Sequence, residues 1–427
     1  MDIFDYAKEK IVTDVAVIGA GTAGVFAAIS AARSGAQTVL IEKNSILGGT
    51  VTAACVNFPG LFFAWGKQII SGPCWEAVKR CENLGGAHIP QISYKPVEHW
   101  HEQITLNRFV YEAVISQMCR ESKVDVILNA MPSYLRETQD GVRILVTRKQ
   151  GLCEIFAKTV IDTTGDANAV SMCGYETVKS EVQQPATQQN HISGYDFEKA
   201  DTAQMYEKFD GAGFPEYLTC ERLVNYLKFH KIDVHIPCRN ADTSEGKTAA
   251  ERNSLELLLK IYSFYRSIRG LENLTVDFIA EETGIRESAR IVGETEISAE
   301  DYLDGKNYPD SVCYAFYPID LHVNTGIEQR FLKEDTVGKV PYRALLPKNS
   351  KHIICAGRCI SSDKYANSAL RVEAVCMATG QAAGCAAAIS AKQDICVKDV
   401  NYGTLCESLA KIGAIVPERQ RNTWKKR

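Results

Sequence analysis

The 427-residue chain has fifteen cysteines but no C-x-x-C pair, so the spacing typical of a structural zinc site is missing. The cysteine number is odd, and no secretory signal precedes the first apolar strand, so reduced thiols and a cytoplasmic location are expected. Neither sign of charge is in excess. With 48 Lys and Arg against 52 Asp and Glu, the net charge of -4 gives nucleic acid no electrostatic reason to bind. No 20 to 50 residue repeat and no low-complexity segment is visible, which excludes a repeat architecture. Long hydrophobic runs are scarce too. The exception, residues 374–391, carries no charge but is interrupted by Thr379, Gly380, Gln381, Gly384 and Ser390, and alanine supplies most of its bulk. A packed interior helix is expected there, not a membrane span. The remaining composition, 45% apolar and 23% charged, suits a soluble globular protein large enough for two intertwined domains.

Residues 15–42, VAVIGAGTAGVFAAISAARSGAQTVLIE, are the most informative stretch. An apolar run at 15–18 predicts a buried parallel strand, and Gly19, Gly21 and Gly24 follow it as G-x-G-x-x-G. Gly19 permits the tight turn, Gly21 leaves room for a pyrophosphate against bare backbone, and Gly24 lets the next helix approach the sheet. Ala23, Ala27, Ala28, Ala31 and Ala32 continue the close-packed face through a helix expected to stop near Gly35. The N-terminus of that helix directs free N–H groups and a positive dipole end at phosphates. A second strand at 38–41 ends in Glu42, whose carboxylate suits the two hydroxyls of an adenosine ribose.

Further elements are predicted around this βαβ unit. Residues 98–121 read as mainly helical and 124–128 as a buried strand. Residues 142–147 and 153–157 read as a small antiparallel meander, and 159–161 as a strand running into Thr163, Thr164, Gly165 and Asp166. Near the other end, a strand at 352–355 leads to Gly357 and Arg358, followed by the 374–391 helix. The middle is less regular, with helices predicted at 202–208, 219–229 and 248–270. The expected fold is α/β: a Rossmann-like dinucleotide-binding domain with a parallel central sheet and a meander, interrupted by an inserted α+β substrate or cap domain. The boundaries are 1–180, 181–340 and 341–427.

Seven segments in order resemble the FAD-dependent oxidoreductase family of the glutathione-reductase-like flavoprotein superfamily. They are VAVIGAGTAG with Glu42, LGGT, GKQIISGPCWEAVKRCENLGGA, AKTVIDTTGDANAV, TGIRESARIVGE, YPIDLH and AGRCISSDKYANSALRVEAVCMATGQAAG. The resemblance covers about residues 12–391 and implies FAD as cofactor. It places Gly19, Gly21, Thr22, Ala23 and Gly24 at the pyrophosphate, and Glu42 with Lys43 at the ribose. Gly48, Gly49 and Thr50 would pass the phosphates and flavin, and Met131 would meet the adenine through backbone groups. Thr164, Gly165 and Asp166 would close over the adenosine side, with Gly357 and Arg358 against the pyrophosphate or ribityl chain. Ala369, Leu370, Arg371 and Val372 would present the N-terminus of the last long helix to the pyrimidine edge of the flavin, where a helix dipole stabilises the charge of the reduced ring. Simpler readings stand beside three of these: an ordinary loop for Gly48 and Gly49, an ordinary strand end for 164–166, and a surface ion pair for Arg371.

Departures from the superfamily narrow the activity. Disulfide reductases carry C-x-x-x-x-C after the double glycine, but here Cys55 is followed by Gly60 in the second cysteine's place. The nearest candidate for a second nucleotide motif, around Gly211 and Gly213, lacks the third glycine and a preceding strand. The halogenase signature W-x-W-x-I-P is absent as well. Hydride transfer between a small-molecule substrate and flavin N5 is therefore expected, with an unidentified electron donor or acceptor. Arg286 and Arg290, four apart on an expected helix or turn, would face an anionic group or else pair with Glu282, Glu287 or Glu294. Asp320 and His322 would share one face of an extended strand while Tyr317 points elsewhere. His322 suits acid–base work, with Tyr317 as the alternative proton carrier and Arg286 as substrate anchor, although a structural role for this histidine is the other reading. Tyr342 and Arg343 are weaker candidates. His99 and His101 flank Trp100 without pointing to a metal, and no metal site is predicted. Two rival classes remain: a flavin monooxygenase and a non-catalytic electron-transfer flavoprotein subunit.

Overall fold

Strand β1 (Glu9–Ile18) carries the opening apolar run, and helix α1 (Thr22–Arg33) and strand β2 (Thr38–Ile41) follow where the spacing predicts them. The computed structural model describes residues 2–92, 99–323 and 326–418. Alternation along β1 fills two cores at once. Val15 and Val17 face the helical side with α1, whereas Ala16 and Ile18 face the other side with Ile144, Ile155 and Val170. A strand buried on both faces reads as a continuous apolar run, which is why the segment is legible in the sequence.

The central sheet has the order Asp125–Ile127, β2, β1, Gly151–Asp162, Val142–Arg148, Met131–Glu137. It is parallel from Asp125–Ile127 through Gly151–Asp162, then antiparallel through the meander. Two expectations change here. The meander strand at 153–157 and the strand at 159–161 are one twelve-residue strand, Gly151–Asp162. It pairs antiparallel with Val142–Arg148 in its first half and parallel with Ile353–Cys355 at its end. The meander also gains a third strand, Met131–Glu137, with a register shift at Pro132. The helix expected at 98–121 covers only Arg108–Glu121, capped by the Asn107 side chain, and a 3-10 turn at His99–Glu102 precedes it. Glu98, the first residue of that expected helix, and the side chains of His99 and Trp100 lie outside the described residues.

A second sheet of three antiparallel strands occupies the middle of the chain, in the order Lys231–Ile236, Ala186–Ser193, Thr275–Ile279. Helices Thr202–Phe209, Cys220–Lys228 and Ser244–Arg266 form close to their predicted positions. Leu223, Leu227, Leu258 and Ile261 pack with Ile232, Val234 and Ile236 into a separate hydrophobic core. Because strand side chains alternate, Asp233 and His235 then face away from this core. No helix forms at 286–290. The chain there is irregular, ending in a short strand, Arg290–Ile291, that pairs with Thr177–Val178.

After Ile353–Cys355 the chain forms a short helix, Lys364–Leu370, and then the long helix Glu373–Gln393. This is the uncharged stretch noted above, and its apolar window is 94% buried inside the protein. Gly380 and Gly384 make that possible: a Cβ on either would lie 2.2 Å from the backbone oxygen of Ala23 or Ala27 on α1. The long helix therefore rides directly on the first turns of α1.

Candidate active site

The turn after β1 separates glycines that the polypeptide needs from one that it does not. Gly19 has φ +96°, and a Cβ there would sit 2.8 Å from the Thr163 carbonyl oxygen. A Cβ on Gly24 would fall 1.8 Å from the oxygen of Gly19. Gly21 differs, because its Cβ would meet nothing nearer than the Cα of Gly49 at 3.9 Å. Gly21 is the N-cap of α1 and supplies no side-chain cap, so the N–H groups of the first turn remain available to an anion. Opposite it, Gly48 and Gly49 adopt φ +98° and +53°, and a Cβ on Gly49 would lie 2.7 Å from the Cα of Gly21. Two bare backbones thus pack against each other beside a helix N-terminus, whose open N–H groups fit a pyrophosphate. Thr22 Oγ1 donates to the Gly48 carbonyl at 3.4 Å, and the Thr50 carbonyl accepts from Val56 N at 3.1 Å, which fixes the second wall.

Glu42 stands at the end of β2, with one carboxylate oxygen 2.6 Å from Ala20 N and the other 2.9 Å from Asn44 N. Burial raises its pKa, and the two N–H groups partly offset that rise. Each oxygen keeps acceptor capacity, which suits the hydroxyls of a ribose. Lys43 turns away from this carboxylate to an ion pair with Glu282, which also accepts from Asn44 Nδ2 at 2.6 Å. Met131 is 54% exposed, and the backbone groups beside Glu42 belong to its neighbours: Asn129 N donates to Asn44 O at 3.1 Å and Ala130 N to Glu42 O at 2.9 Å.

The 164–166 loop is closed by protein groups. Thr164 donates through N and Oγ1 to Asp162, at 3.0 and 2.7 Å, while Asp166 accepts from Ser288 Oγ at 2.5 Å and Arg358 at 2.6 Å. Arg358 also donates to the carbonyls of Gly165, at 2.8 Å, and Ile285, at 2.5 Å. Its guanidinium therefore joins this loop to the middle of the chain, while Gly357 lies beside the first turn of α1. That glycine has φ +85°, and its Cβ would lie 3.0 Å from the Cβ of Ala23. The expected helix start also moves. Ala369 and Leu370 end the short helix, Arg371 is its C-cap, and Val372 is the N-cap of the long helix. One N–H of that N-terminus is already used, since Ala374 donates to Pro59 O at 2.7 Å.

The catalytic candidates meet at the junction of strand Ile319–Val323 with the second sheet. Asp320 and His322 lie on strand Ile319–Val323, two residues apart on one face, with His322 Nε2 3.2 Å from Asp320 Oδ2. Asp320 also accepts from Gln329 Nε2 at 3.2 Å, and these partners hold its carboxyl down at about 2 despite burial. Burial lowers the pKa of His322, with Asp320 opposing, and its Nδ1 is buried with no hydrogen-bond partner. The Tyr317 hydroxyl accepts from Gln103 Nε2 at 3.0 Å, and burial pushes it up to about 12. Arg286 donates to the Pro185 carbonyl at 2.7 Å and reaches His235 Nε2 at 3.1 Å. The rings of His235 and His322 stand edge to face with centroids 5.1 Å apart.

Arg290 does not join this cluster. It forms a buried ion pair with Glu287 at 3.1 Å and donates to Ser362 O at 3.0 Å, so it ties chain segments together. Arg371 is not a surface ion pair: it lies against Gln184 Oε1 and the Asp320 carbonyl, at 3.4 and 3.5 Å. The Tyr342 hydroxyl is buried on Val397 O at 2.7 Å, and Arg343 pairs with Asp310 at 3.1 Å, so both serve the fold. The sequence reading missed His235 and Gln184. A signal for His235 exists in the alternating KIDVHI, whose apolar positions assign the histidine to the face away from the core.

Comparison with known proteins identifies the family. The family model described as FAD dependent oxidoreductase matches residues 14–409. Mitochondrial dihydrolipoyl dehydrogenases are 54% identical over 52 residues, which is 12% of this chain and 10% of the Mesocricetus auratus enzyme or 9% of the Homo sapiens enzyme. The chain thus matches about a tenth of the length of these curated relatives. Among solved structures, it is similar to a geranylgeranyl bacteriochlorophyll reductase-like protein from Thermoplasma acidophilum. That likeness has 14% identity over 94% of this chain and 83% of the other, with a TM-score of 0.44. The p-nitrophenol 4-monooxygenase PnpA from Pseudomonas putida DLL-E4 is 13% identical over 94% of this chain and 84% of its own, with a TM-score of 0.42. These structural likenesses are too distant to carry function, but the family model spans nearly the whole chain. The chain belongs to the FAD-dependent oxidoreductase family, and FAD is its cofactor.

Proposed function

We propose that this enzyme exchanges a hydride between a carbon of a small-molecule substrate and the flavin, with His322 or Tyr317 handling the proton and Arg286 anchoring the substrate. The observation that supports this most is the convergence of the Asp320–His322 pair, Arg286 and Arg371 just ahead of the helix that begins at Glu373. Bound FAD supplies the hydride chemistry at N5. With Nε2–H donated to Asp320, His322 keeps a lone pair on the unpartnered Nδ1, and its lowered pKa leaves it neutral and able to take a proton at neutral pH. Tyr317 stays protonated there and suits the donating role. Gly19, Gly21, Thr22, Ala23, Gly24, Gly48, Gly49 and Thr50 would hold the pyrophosphate side, and Glu42 the ribose.

Residues 181–340 act in this reading as a cap over an FAD domain built from 1–180 and 341–427. The glutathione-reductase-like superfamily is the proposed wider home, supported by the strand order with its meander beside the long shared strand and by the short dihydrolipoyl dehydrogenase match. A cytoplasmic setting, with an as yet unnamed electron partner, is supported by fifteen free thiols. The test is anaerobic absorbance of the FAD-loaded enzyme against hydroxy acids, sugars, amines and unsaturated acids. Bleaching of the oxidised flavin by one class is expected. Substrate hydroxylation coupled to oxygen consumption would replace hydride exchange with a monooxygenase reaction, and a flavin that no small substrate reduces would point to an electron-transfer subunit.

A further inference from the structure

We propose that the sheet junction is a receptor for a single substrate carboxylate, held between Arg286 and Arg371 and oriented by Gln184; this rests on reading the cluster as the substrate site. Arg286 uses its donors on a carbonyl and on an imidazole nitrogen, not on a carboxylate. Arg371 makes only long contacts through one terminal nitrogen, and its Nε is buried with no hydrogen-bond partner. Gln184 is 98% buried by its relative exposure of 2%, its Oε1 accepts from Arg371 and from His322 N at 3.2 Å, and its Nε2 has no partner. Two buried N–H donors are therefore left over. Leaving them unsatisfied is costly, and carboxylate oxygens are the acceptors that would relieve both.

The charge balance points the same way. Arg222 and Arg286 both act on His235, and Arg371 acts on Arg286, while the carboxylates acting on Arg286 are Asp233 and Asp320. Arg358 and Glu287 act on Arg371 as well, and burial with the neighbouring arginines holds His235 down at about 2, so arginines crowd this site. Asp320 is further engaged by His322 and Gln329, both at 3.2 Å. An anion is the matching ligand. A small cleft lined by Pro185, Tyr217, Arg222, His235, Pro237 and Val323 adjoins the cluster on the His235 side.

The experiment titrates the FAD-loaded enzyme with benzoate and isobutyrate, and with benzamide and isobutyramide as neutral isosteres, following the flavin absorbance bands. Saturable perturbation by the acids and none by the amides is expected. Arg286→Gln and Arg371→Gln should each weaken the acids by at least about tenfold. If a Gln variant retains no flavin, the corresponding Lys variant is titrated instead and should weaken binding less. Amides acting as strongly as acids, variants binding like the wild type, or acids that leave the spectrum unmoved would each overturn the proposal. The last result would assign the arginines to the anionic edge of the reduced flavin. His322→Ala separates this from the hydride reading. Acid binding retained there, with no substrate reducing the wild-type flavin, would remove hydride exchange and leave the carboxylate receptor. Bleaching by neutral substrates with no acid binding would do the reverse.

Discussion

Gly21 and Gly24 sit three residues apart in one motif and answer to different demands. A Cβ on Gly24 collides with backbone at 1.8 Å, whereas one on Gly21 makes only an ordinary contact with Gly49 Cα at 3.9 Å. Gly24→Ala should therefore cost the apoprotein roughly 3 kcal/mol or more. Gly21→Ala should cost at most about 1 kcal/mol, the usual difference at an N-cap, yet weaken FAD binding by on the order of tenfold or more. Thermal unfolding of the two apoproteins, with a flavin titration of each, checks this pair. A second residue-scale prediction concerns Glu373, buried at the start of the long helix with both oxygens unpartnered. Burial raises its pKa well above the ordinary 4.5, so the folded chain holds a proton that the unfolded chain releases. Its contribution to stability is whole below about pH 4.5 and is lost as pH rises toward the folded value. Glu373→Gln should flatten that decline, and unfolding midpoints measured from pH 5 to 8 would reveal an unchanged slope if the carboxyl is ionised instead. The glycines were legible because spacing alone specifies them. Gln184 and His235 were not, since their roles arise from contacts with residues 51 to 187 positions away.

The contact between α1 and the long C-terminal helix is where helix propensity and packing disagree. Alanine is favoured over glycine in a helix by about 1 kcal/mol. At Gly380 and Gly384, however, the added methyl would sit 2.2 Å from α1 backbone oxygens, and overpacking of this kind costs about 1–3 kcal/mol. The collision should win, so either Gly→Ala change lowers the denaturation midpoint and loosens bound flavin; a rise in stability would show that α1 moves freely. Element boundaries were legible where apolar runs were unbroken, as in β1, β2 and the long helix. They were misread where a polar residue interrupts a continuous strand. Lys158 splits the apolar run of Gly151–Asp162 in the sequence, but its amine is satisfied by Ala391 O at 3.3 Å and Asp14 at 3.6 Å, and the strand continues. Met131–Glu137 was missed for a similar reason, since Pro132 sits at a register shift on an edge strand, where proline is tolerated.

At the scale of the whole molecule, the chain places its glycine motif in the first fifty residues and the Asp320–His322 pair some three hundred residues later, and the fold sets that pair beside His235 of the second sheet. The family and the cofactor side were legible because local glycine and strand patterns encode them. The substrate side was legible only as candidates, since its geometry depends on the second sheet. The account predicts a pH profile as well. His322 must be neutral to take a proton, and burial lowers its pKa below 6.5, so flavin reduction should fall on the acid side of that value and stay level at neutral pH. The most direct measurement is the anaerobic, single-turnover rate of flavin reduction in FAD-loaded wild type, His322→Ala and Arg286→Ala with a bleaching substrate. Both variants should keep their FAD and lose most of the rate, by about a hundredfold or more for His322→Ala. Flavin reduction at the wild-type rate in both variants would contradict the assignment of this junction as the site of chemistry.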